Sequence, residues 1–334
     1  MPPYELRLAG KTVGTYQTEE EAMAAASAIV RDNADNVPEV VDAATGQPAA
    51  PAADPQRGSG PGAGPGAVVC GVGTDQLASG HATLDSVVAA YEEQLEVVED
   101  AGASPVIMAS RQLAASADGP GDYVRVYGRL LGQVSEPAVL HWLGPMFDPA
   151  LTGYWGSADL DAAAETVLAI IGEHADRVAG IKVSLLDADR EIALRKRLPA
   201  GVRMFTGDDF DYPDLIRGGS DALLGIFDPI AAPAAAALRA LDGGDLASYE
   251  KILAPTVPLA RHLFAAPTYF YKTGVVFLAW LAGHQPAFRM IGGYESARPV
   301  PHLVELFELA DAAGLFPDPD LAASRMRAWL EVNT

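Results

Sequence analysis

The 334-residue sequence contains only one cysteine, Cys70, and six histidines. It therefore has few of the residues that stabilise small domains through disulfides or bound metal. A single cysteine cannot form an intrachain disulfide, and no Cys/His pairs have the spacing of a structural zinc site. The sequence therefore predicts a protein without disulfides or structural zinc, and a cytoplasmic location is the default expectation.

Positive charge is also scarce. Lys and Arg total 23 against 44 Asp and Glu, which gives a formal net charge of -21. Binding to nucleic acid or to an anionic membrane surface needs clustered cations, and no cluster stands out. We therefore expect neither partner. Hydrophobic residues make up 49% of the chain, which is typical of a folded protein rather than a disordered one.

Long apolar runs are absent. The longest, residues 275–282, is well short of the roughly 20 residues that a membrane-spanning helix needs. The first thirty residues also lack the basic start and apolar stretch of a secretory signal. We expect no membrane segment.

Residues 47–67 predict a flexible linker, because ten of these 21 residues are Gly or Pro and six more are Ala. Before it, strand patterns at 4–8, 12–16 and 38–42 surround a helix capped by Thr18, which predicts a small ββαβ domain over 1–46. This domain is either an interaction module or a dispensable appendage. The remaining chain is predicted to form a partial (β/α) barrel over 68–232 and a helical region over 233–334.

Six short apolar runs separated by amphipathic segments follow the linker, as in a parallel sheet covered on both faces. They occupy residues 68–72, 105–109, 138–140, 178–186, 202–206 and 222–227. Polar residues lie at or near the carboxyl end of each run. In a barrel all of these ends open onto one face, whereas a doubly wound sheet would bring together only some of them. The fold class predicted is α/β, a TIM (β/α)8-type barrel.

Lys182 is the leading catalytic candidate, because it lies within an otherwise apolar strand pattern. Burial lowers the pKa of a lysine, and the neutral amine can attack a carbonyl carbon to form a Schiff base. The alternative is a lysine that extends to solvent or pairs with a nearby aspartate.

Four short motifs resemble those of the dihydrodipicolinate synthase and N-acetylneuraminate lyase superfamily. They are GVGT at 71–74, VLH at 139–141, GIK at 180–182 and GDD at 207–209. Longer blocks at 140–156, 203–210, 221–229 and 271–283 resemble an uncharacterised branch of it, a domain of unknown function. The resemblance covers about residues 67–330 and implies a barrel with a C-terminal helical extension. It also implies class I aldolase chemistry on a 2-oxo acid or aldehyde, with Lys182 as the Schiff-base lysine.

The sequence departs from the superfamily pattern in two places. His141 stands where the family has a proton-relay tyrosine, so His141 is either a general acid or base or a core residue. The first two barrel strands also have no counterpart before residue 68, and a hairpin cannot supply two parallel strands without a crossover. The small N-terminal unit, another subunit or a reorganised barrel would have to fill this gap.

Six further residues are predicted to bind substrate from their positions at strand ends. They are Thr74, Asp75, Arg111, Asp208, Asp209 and Asp228. Arg111 could bind a carboxylate with two hydrogen bonds, or form a salt bridge at a helix end. We expect no metal and no cofactor. An oxygen-rich metal site built from the three aspartates 208, 209 and 228 with His141 is the runner-up mechanism.

Three functions remain open from the sequence. The first is a lyase or aldolase that uses Lys182 on a small 2-oxo acid or aldehyde. The second is a degenerate barrel that binds a metabolite or partner without turnover, and the third is one subunit of a heteromeric enzyme. A homo-oligomer or a hetero-oligomer that completes the barrel is expected.

Overall fold

The computed structural model describes residues 4–8, 11–18, 39–42, 68–77 and 82–333. The chain divides into two compact units, residues 1–57 and 58–334, and each is described by itself. The predicted helix after Thr18 and the predicted linker at 47–67 lie outside the described residues. Among the described residues, no helix combines the length and apolar character needed to cross a membrane.

The first unit contains a three-stranded antiparallel sheet. Its strands are β1 (Tyr4–Leu8), β2 (Lys11–Tyr16) and β3 (Glu39–Asp42), in the spatial order β2-β1-β3. The pairing of β1 with β2 is a hairpin in which Tyr4 lies opposite Tyr16. Across this pair, the Thr12 hydroxyl donates a hydrogen bond of 3.1 Å to the Glu5 carboxylate. The three strand patterns read from the sequence are confirmed.

The second unit is built on a six-stranded sheet in which every neighbouring pair is parallel. Its spatial order follows the chain, so β4 and β9 are the edge strands among the described residues. The strands are β4 (Val69–Val72), β5 (Ser104–Ile107), β6 (Ala138–Leu143), β7 (Val178–Ser184), β8 (Arg203–Thr206) and β9 (Asp221–Ala222). The predicted parallel sheet is confirmed.

One strand is much shorter than its apolar run suggests. The sixth run spans 222–227, but β9 contains only two residues, Asp221 and Ala222. Gly225–Phe227 forms a 3-10 turn. After β9 the Leu223 amide still donates to the Thr206 carbonyl at 3.1 Å, and the Ile226 amide donates to the Asp209 carboxylate at 2.8 Å. The Asp209 side chain thus fixes the turn that follows β9.

Helices follow the strands and cover the outward face of the sheet. They are α1 (Leu84–Asp100), α2 (Arg111–Ser116), α3 (Pro120–Leu131), α4 (Leu160–Glu173), α5 (Ala188–Arg195) and α6 (Tyr212–Arg217). Side-chain caps fix several starts: Thr83 accepts from the Ser86 amide, and Asp187 accepts from the Arg190 amide. Leu140 and Ile181, at matched positions of β6 and β7, are completely buried on this face.

Helices form the rest of the chain, as predicted from residue 233 onward. They are α7 (Ala231–Asp242), α8 (Leu246–Leu253), α9 (Thr256–Leu263), α10 (Tyr271–Leu281), α11 (Val300–Ala312) and α12 (Pro319–Asn333). They enclose a second apolar core that includes Leu259, Phe277 and Leu306. Ile226, from the turn after β9, belongs to this core and joins it to the sheet.

Candidate functional site

Lys182 lies near the carboxyl end of β7, on the sheet face opposite to the one covered by the outer helices. The register aligns it with His141 on β6 and with Phe205 on β8, so the three side chains leave the same face. Lys182 is half-buried, and burial lowers the pKa of its amine while the Asp209 carboxylate opposes this shift. No described residue makes a hydrogen bond or a direct ion pair with the Lys182 ammonium. The structure thus holds an amine that is easier to deprotonate than a surface lysine.

His141 is buried beside Lys182, and both of its ring nitrogens have partners. Nε2 lies 3.1 Å from the Ser184 hydroxyl, and Nδ1 lies 3.4 Å from the sulfur of Met108. Burial lowers the pKa of His141 well below its usual range, and the nearby Lys182 lowers it further. His141 is therefore a neutral imidazole at physiological pH, paired with a hydroxyl two residues along the strand from Lys182.

Asp209 is the acidic group that acts electrostatically on Lys182. Its side chain is 2% exposed, and burial raises its pKa to about 7, although the Ile226 amide and Lys182 both favour the charged form. The carboxylate does not make a direct ion pair with Lys182 within 4.0 Å. Asp209 can therefore change protonation near neutrality while it remains within electrostatic reach of the amine.

Asp208 points elsewhere, as expected for adjacent residues at a strand end. One of its carboxylate oxygens accepts from the Phe210 amide at 2.8 Å and the Asp211 amide at 2.9 Å, so it shapes the loop. Its other oxygen is buried without a partner among the described residues, and burial raises the pKa of the group.

Gly207 precedes these aspartates at a point of close approach. A Cβ atom there would collide with the Ser184 hydroxyl oxygen and would lie 3.0 Å from Cε of Lys182. The Gly207 amide donates to the Val183 carbonyl at 2.7 Å, which fixes the backbone against β7. Glycine is needed here because the Ser184 hydroxyl and the Val183 carbonyl of β7 approach its backbone too closely for a side chain.

Tyr271, at the start of α10, is the aromatic side chain next to Asp209. Its ring stacks on Phe264 with centroids 4.6 Å apart and meets Phe147 edge-on at 6.4 Å. Burial raises the pKa of its phenol to about 12, and the carboxylates of Asp209 and Asp228 raise it too. The helical region thus places a protonated phenol beside the carboxyl ends of the strands.

Thr74, a predicted substrate ligand, belongs to a separate hydrogen-bond network at the ends of β4 and β5. Its buried hydroxyl lies 2.6 Å from the Ser110 hydroxyl and donates to the Gln112 carbonyl oxygen at 2.8 Å. The Ser110 amide in turn donates to the Tyr154 hydroxyl at 3.1 Å. The hydroxyl of Thr74 is therefore occupied by protein groups.

Arg111 and Asp75 are paired with each other rather than left open. The Arg111 guanidinium lies 3.2 Å from the Asp75 carboxylate and also donates to the Asp148 carboxylate. The side chains of Arg111 and Asp75 are 57% and 82% exposed. The sequence pattern had left a carboxylate ligand and a helix-end salt bridge as alternatives, and the structure contains the salt bridge.

Asp228 is exposed and lines a different space, a cavity of 270 Å³ bounded mainly by α10 and α11. Within the described ranges, no three His, Cys, Asp or Glu side chains are grouped so that they could hold a metal ion. The four residues of the runner-up metal site therefore do not form such a group.

Two buried polar residues were missed in the sequence, Ser184 on the face of Lys182 and Glu191 under the outer helices. Ser184 is two residues beyond Lys182, and period-two alternation could have placed it on the same face. Glu191 on α5 is 1% exposed and accepts hydrogen bonds from Thr206 at 2.9 Å and Ser220 at 2.7 Å. Burial raises its pKa to about 7, and no sequence pattern distinguishes it from an ordinary helix glutamate.

Comparison with known families gives a match over most of the chain. Residues 55–334 match the model of a family described as a protein of unknown function, DUF993. The chain belongs to this family. No curated protein matches it by sequence.

The structural neighbours of this DUF993 member include dihydrodipicolinate synthases. The enzymes from Oceanobacillus iheyensis and Thermotoga maritima have TM-scores of 0.56 and 0.55, each at 16% identity. The matches cover 74% of this chain and 72% of the first enzyme, and 75% of this chain and 76% of the second. The chloride-inhibited synthase from Acinetobacter baumannii, solved with pyruvate, has a TM-score of 0.52 at 15% identity and covers 75% of each chain. At these identities, the likeness establishes the fold.

Proposed function

We propose that this DUF993 member is a class I aldolase or lyase that forms a Schiff base between Lys182 and the carbonyl carbon of a 2-oxo acid or aldehyde. The observation that carries the proposal is the environment of Lys182. The amine is half-buried, its pKa is lowered by burial, and no described residue occupies it in an ion pair. These are the conditions under which a lysine becomes a nucleophile near neutral pH.

The proposed covalent step is a condensation. The neutral Lys182 amine attacks the carbonyl carbon, the C=O double bond opens to a carbinolamine, and loss of the oxygen as water leaves a C=N bond to Lys182. One hydrogen of that water is a proton released by the amine, and the other is a proton supplied by the site. The protonated imine then accepts the electron pair of a neighbouring C–C or C–H bond, which is the step common to class I aldolases.

Asp209 is the group best suited to carry the proton. A carboxyl with a pKa of about 7 is present in both protonation states at neutral pH, which favours proton transfer in either direction. His141 keeps its predicted catalytic role in a narrower sense. As a neutral imidazole at 3.1 Å from Ser184, it can orient that hydroxyl toward the carbinolamine oxygen.

The fold neighbours support the same chemistry without specifying a substrate. They are dihydrodipicolinate synthases, and the Acinetobacter baumannii enzyme was solved with pyruvate, a 2-oxo acid. This makes pyruvate the first carbonyl compound to try.

Reductive trapping tests the proposal. The full chain is incubated with pyruvate, other 2-oxo acids and simple aldehydes, then treated with borohydride, which reduces an imine to a stable amine. Peptide mass mapping should locate the adduct on Lys182, with one water lost and two hydrogens gained relative to the two reactants. Absence of an adduct with every compound, or an adduct spread over the surface lysines, would refute the proposal.

A second candidate, one subunit of a heteromeric enzyme, is favoured by the exposed edge of β4. Val69, the first residue of this edge strand, and Val68, just before it, are 48% and 60% exposed, and unpaired edges are normally covered in native proteins. We infer a barrel without its first two strands, completed by the small domain at 1–46, by a second copy or by another chain. Purification from the native host followed by sedimentation would separate these cases, because only a heteromer yields a stoichiometric second chain. The third possibility, a non-catalytic binding protein, predicts carbonyl binding without trapping.

The remaining expectations are retained as proposals. They are the domain boundaries at 46, 67 and 232, an oligomeric state, a cytoplasmic location, and binding of substrate by Thr74, Asp75, Arg111, Asp208 and Asp228. The pairing of Arg111 with two carboxylates means that a substrate would have to displace one of them.

A further inference from the structure

A second pocket, of 580 Å³, lies beside the candidate site. Phe147 lines this pocket, and its ring meets that of Tyr271 edge-on with centroids 6.4 Å apart. Four aromatic rings line it: Phe147, Tyr269, Phe270 and Tyr294. Tyr269 and Tyr294 line this pocket and remain 45% and 55% exposed, which is unusual for large aromatic side chains.

The aromatic wall is held in place by the backbone. Tyr269 and Phe270 meet edge-on with centroids 4.5 Å apart, and Phe270 lies 6.4 Å from Tyr294. The Thr273 hydroxyl donates to the Tyr294 carbonyl at 2.8 Å, so the loop that carries Tyr294 is anchored to α10. The rings are edge-on or tilted to one another, and aromatic rings pack favourably against a planar apolar group in both arrangements.

The charges of the pocket favour an anion. Three charged residues line it, and two of them, Arg111 and Asp148, neutralise each other. The third, Lys272, is exposed and has no ion-pair partner in the described part of the chain. Lys272 therefore leaves the lining of this pocket with one positive charge that Arg111 and Asp148 do not cancel.

We propose that this pocket binds a small aromatic carboxylate, with its ring against Tyr269, Phe270 and Tyr294 and its carboxylate on Lys272. The binding does not depend on Lys182, so it stands or falls separately from the Schiff-base chemistry. Such a ligand could be the second reactant of the Lys182 reaction or an effector, and both sources share this chemistry.

The test uses benzoate and its neutral isostere benzamide, measured by titration calorimetry or ligand-observed NMR on the full chain. Benzoate should bind more tightly than benzamide. Lys272→Gln should weaken benzoate about three- to fivefold, as expected for an exposed charge pair, and leave benzamide unchanged. The matched control is Lys251→Gln, which removes an exposed lysine on α8 and should alter neither affinity. Tyr269→Leu should weaken both probes.

Three results would overturn the proposal. Equal affinity for the two probes, or benzoate binding that ignores Lys272→Gln, would remove the anion preference. Loss of benzoate binding in Lys182→Met would place the probe at the Schiff-base lysine instead. Sedimentation that shows a dimer disrupted by Tyr269→Leu would make the aromatic wall an interface between two copies of this chain.

The two sources of the ligand give different kinetics in the trapping experiment. A second reactant, added as an aromatic carboxylate that carries an aldehyde, should be incorporated into the borohydride-reduced product with pyruvate. An effector should change the rate of pyruvate trapping on Lys182 without being incorporated. If the enzyme traps no carbonyl compound at all, the benzoate and benzamide affinities still decide whether the pocket exists as proposed.

Discussion

The carboxyl ends of β4 and β5 and those of β6, β7 and β8 carry comparable polar side chains but use them differently. At the first pair of strands, Thr74 is tied to Ser110 and Arg111 is tied to two carboxylates. At the second set, Lys182 has no bonded partner among the described residues, and Asp209 has a pKa raised to about 7 by burial. The polar groups are satisfied in the first region and left reactive in the second.

This difference shows what makes a strand end chemically useful. A buried polar group that lacks a partner is costly, so a protein normally pairs it. Lys182 has no bonded partner among the described residues, and at Asp209 the effect of burial outweighs the hydrogen bond from the Ile226 amide, so the shifted pKa values mark both as candidates for function. Both regions lie at strand ends, so position alone does not distinguish them. Only the second contains a lysine without a bonded partner and a carboxyl whose pKa burial raises to about 7.

The largest expected effect comes from Lys182→Met, which keeps the side-chain length and removes the amine. Trapping of any 2-oxo acid or aldehyde by borohydride should be lost completely, because no other described lysine is both half-buried and held against the inner face of the sheet. Intact mass after reduction measures it. Lys251→Met is the control and should trap like the unchanged protein. Persistent trapping in Lys182→Met would end the contrast between the two regions.

The next effect is on the pH dependence of stability. The pKa of Asp209 is about 7 in the folded protein against 3.8 in the reference state, so the folded state holds the proton more tightly. The free energy of unfolding should therefore fall as pH rises from about 4 to about 7 and level off above that, by as much as about 4 kcal/mol from this group. Denaturant titration across this range checks it.

Asp209→Asn should flatten this slope relative to the unchanged protein, since asparagine still accepts from the Ile226 amide. Glu191, which titrates in the same window, is present in both proteins and drops out of the difference. Asp75→Asn, at the satisfied strand end, is the matched control. The raised pKa of Asp209 would be contradicted if the pH dependence of the free energy of unfolding were unchanged in Asp209→Asn. It would also be contradicted if the free energy of unfolding of the unchanged protein rose with pH over this range.

Gly207→Ala should have a smaller effect on stability. The added methyl group meets Ser184 and Cε of Lys182, and overpacking of this kind costs about 1–3 kcal/mol. Gly172→Ala, inside α4 with no atom within 4 Å of the new methyl, should instead stabilise by about 0.5–1 kcal/mol. Thermal or chemical unfolding measures both. Equal effects at the two positions would show that β7 and β8 are less closely packed at Lys182.

Arg111→Ala should have the smallest effect. Its ion pair with Asp75 is largely exposed, and such pairs contribute about 0–1 kcal/mol, while the Asp148 side chain of the second pair is 15% exposed. Borohydride trapping on Lys182 should proceed with every compound trapped by the unchanged protein. If Arg111→Ala abolishes trapping of 2-oxo acids and spares aldehydes, Arg111 binds the substrate carboxylate and the first region is functional too.

Much of the fold could be predicted from the sequence because parallel strands and amphipathic helices leave strong periodic signals. The six apolar runs and the helical region after residue 231 were found in this way. The extent of the last strand could not be predicted, because the apolar run continues into a 3-10 turn in which the Ile226 amide donates to the Asp209 side chain. That bond depends on a contact between distant segments, which no local pattern records.

The sequence by itself determined which residue types stand at the strand ends, and it singled out Lys182 as a charged residue in an apolar strand. Only the tertiary structure decided which of those groups remain available. It paired Arg111 with Asp75 and Asp148, bonded His141 to Ser184, and left Lys182 opposite a carboxyl that titrates near neutrality. The reason is physical: availability depends on burial and on partners supplied by other segments, and both arise when the chain folds.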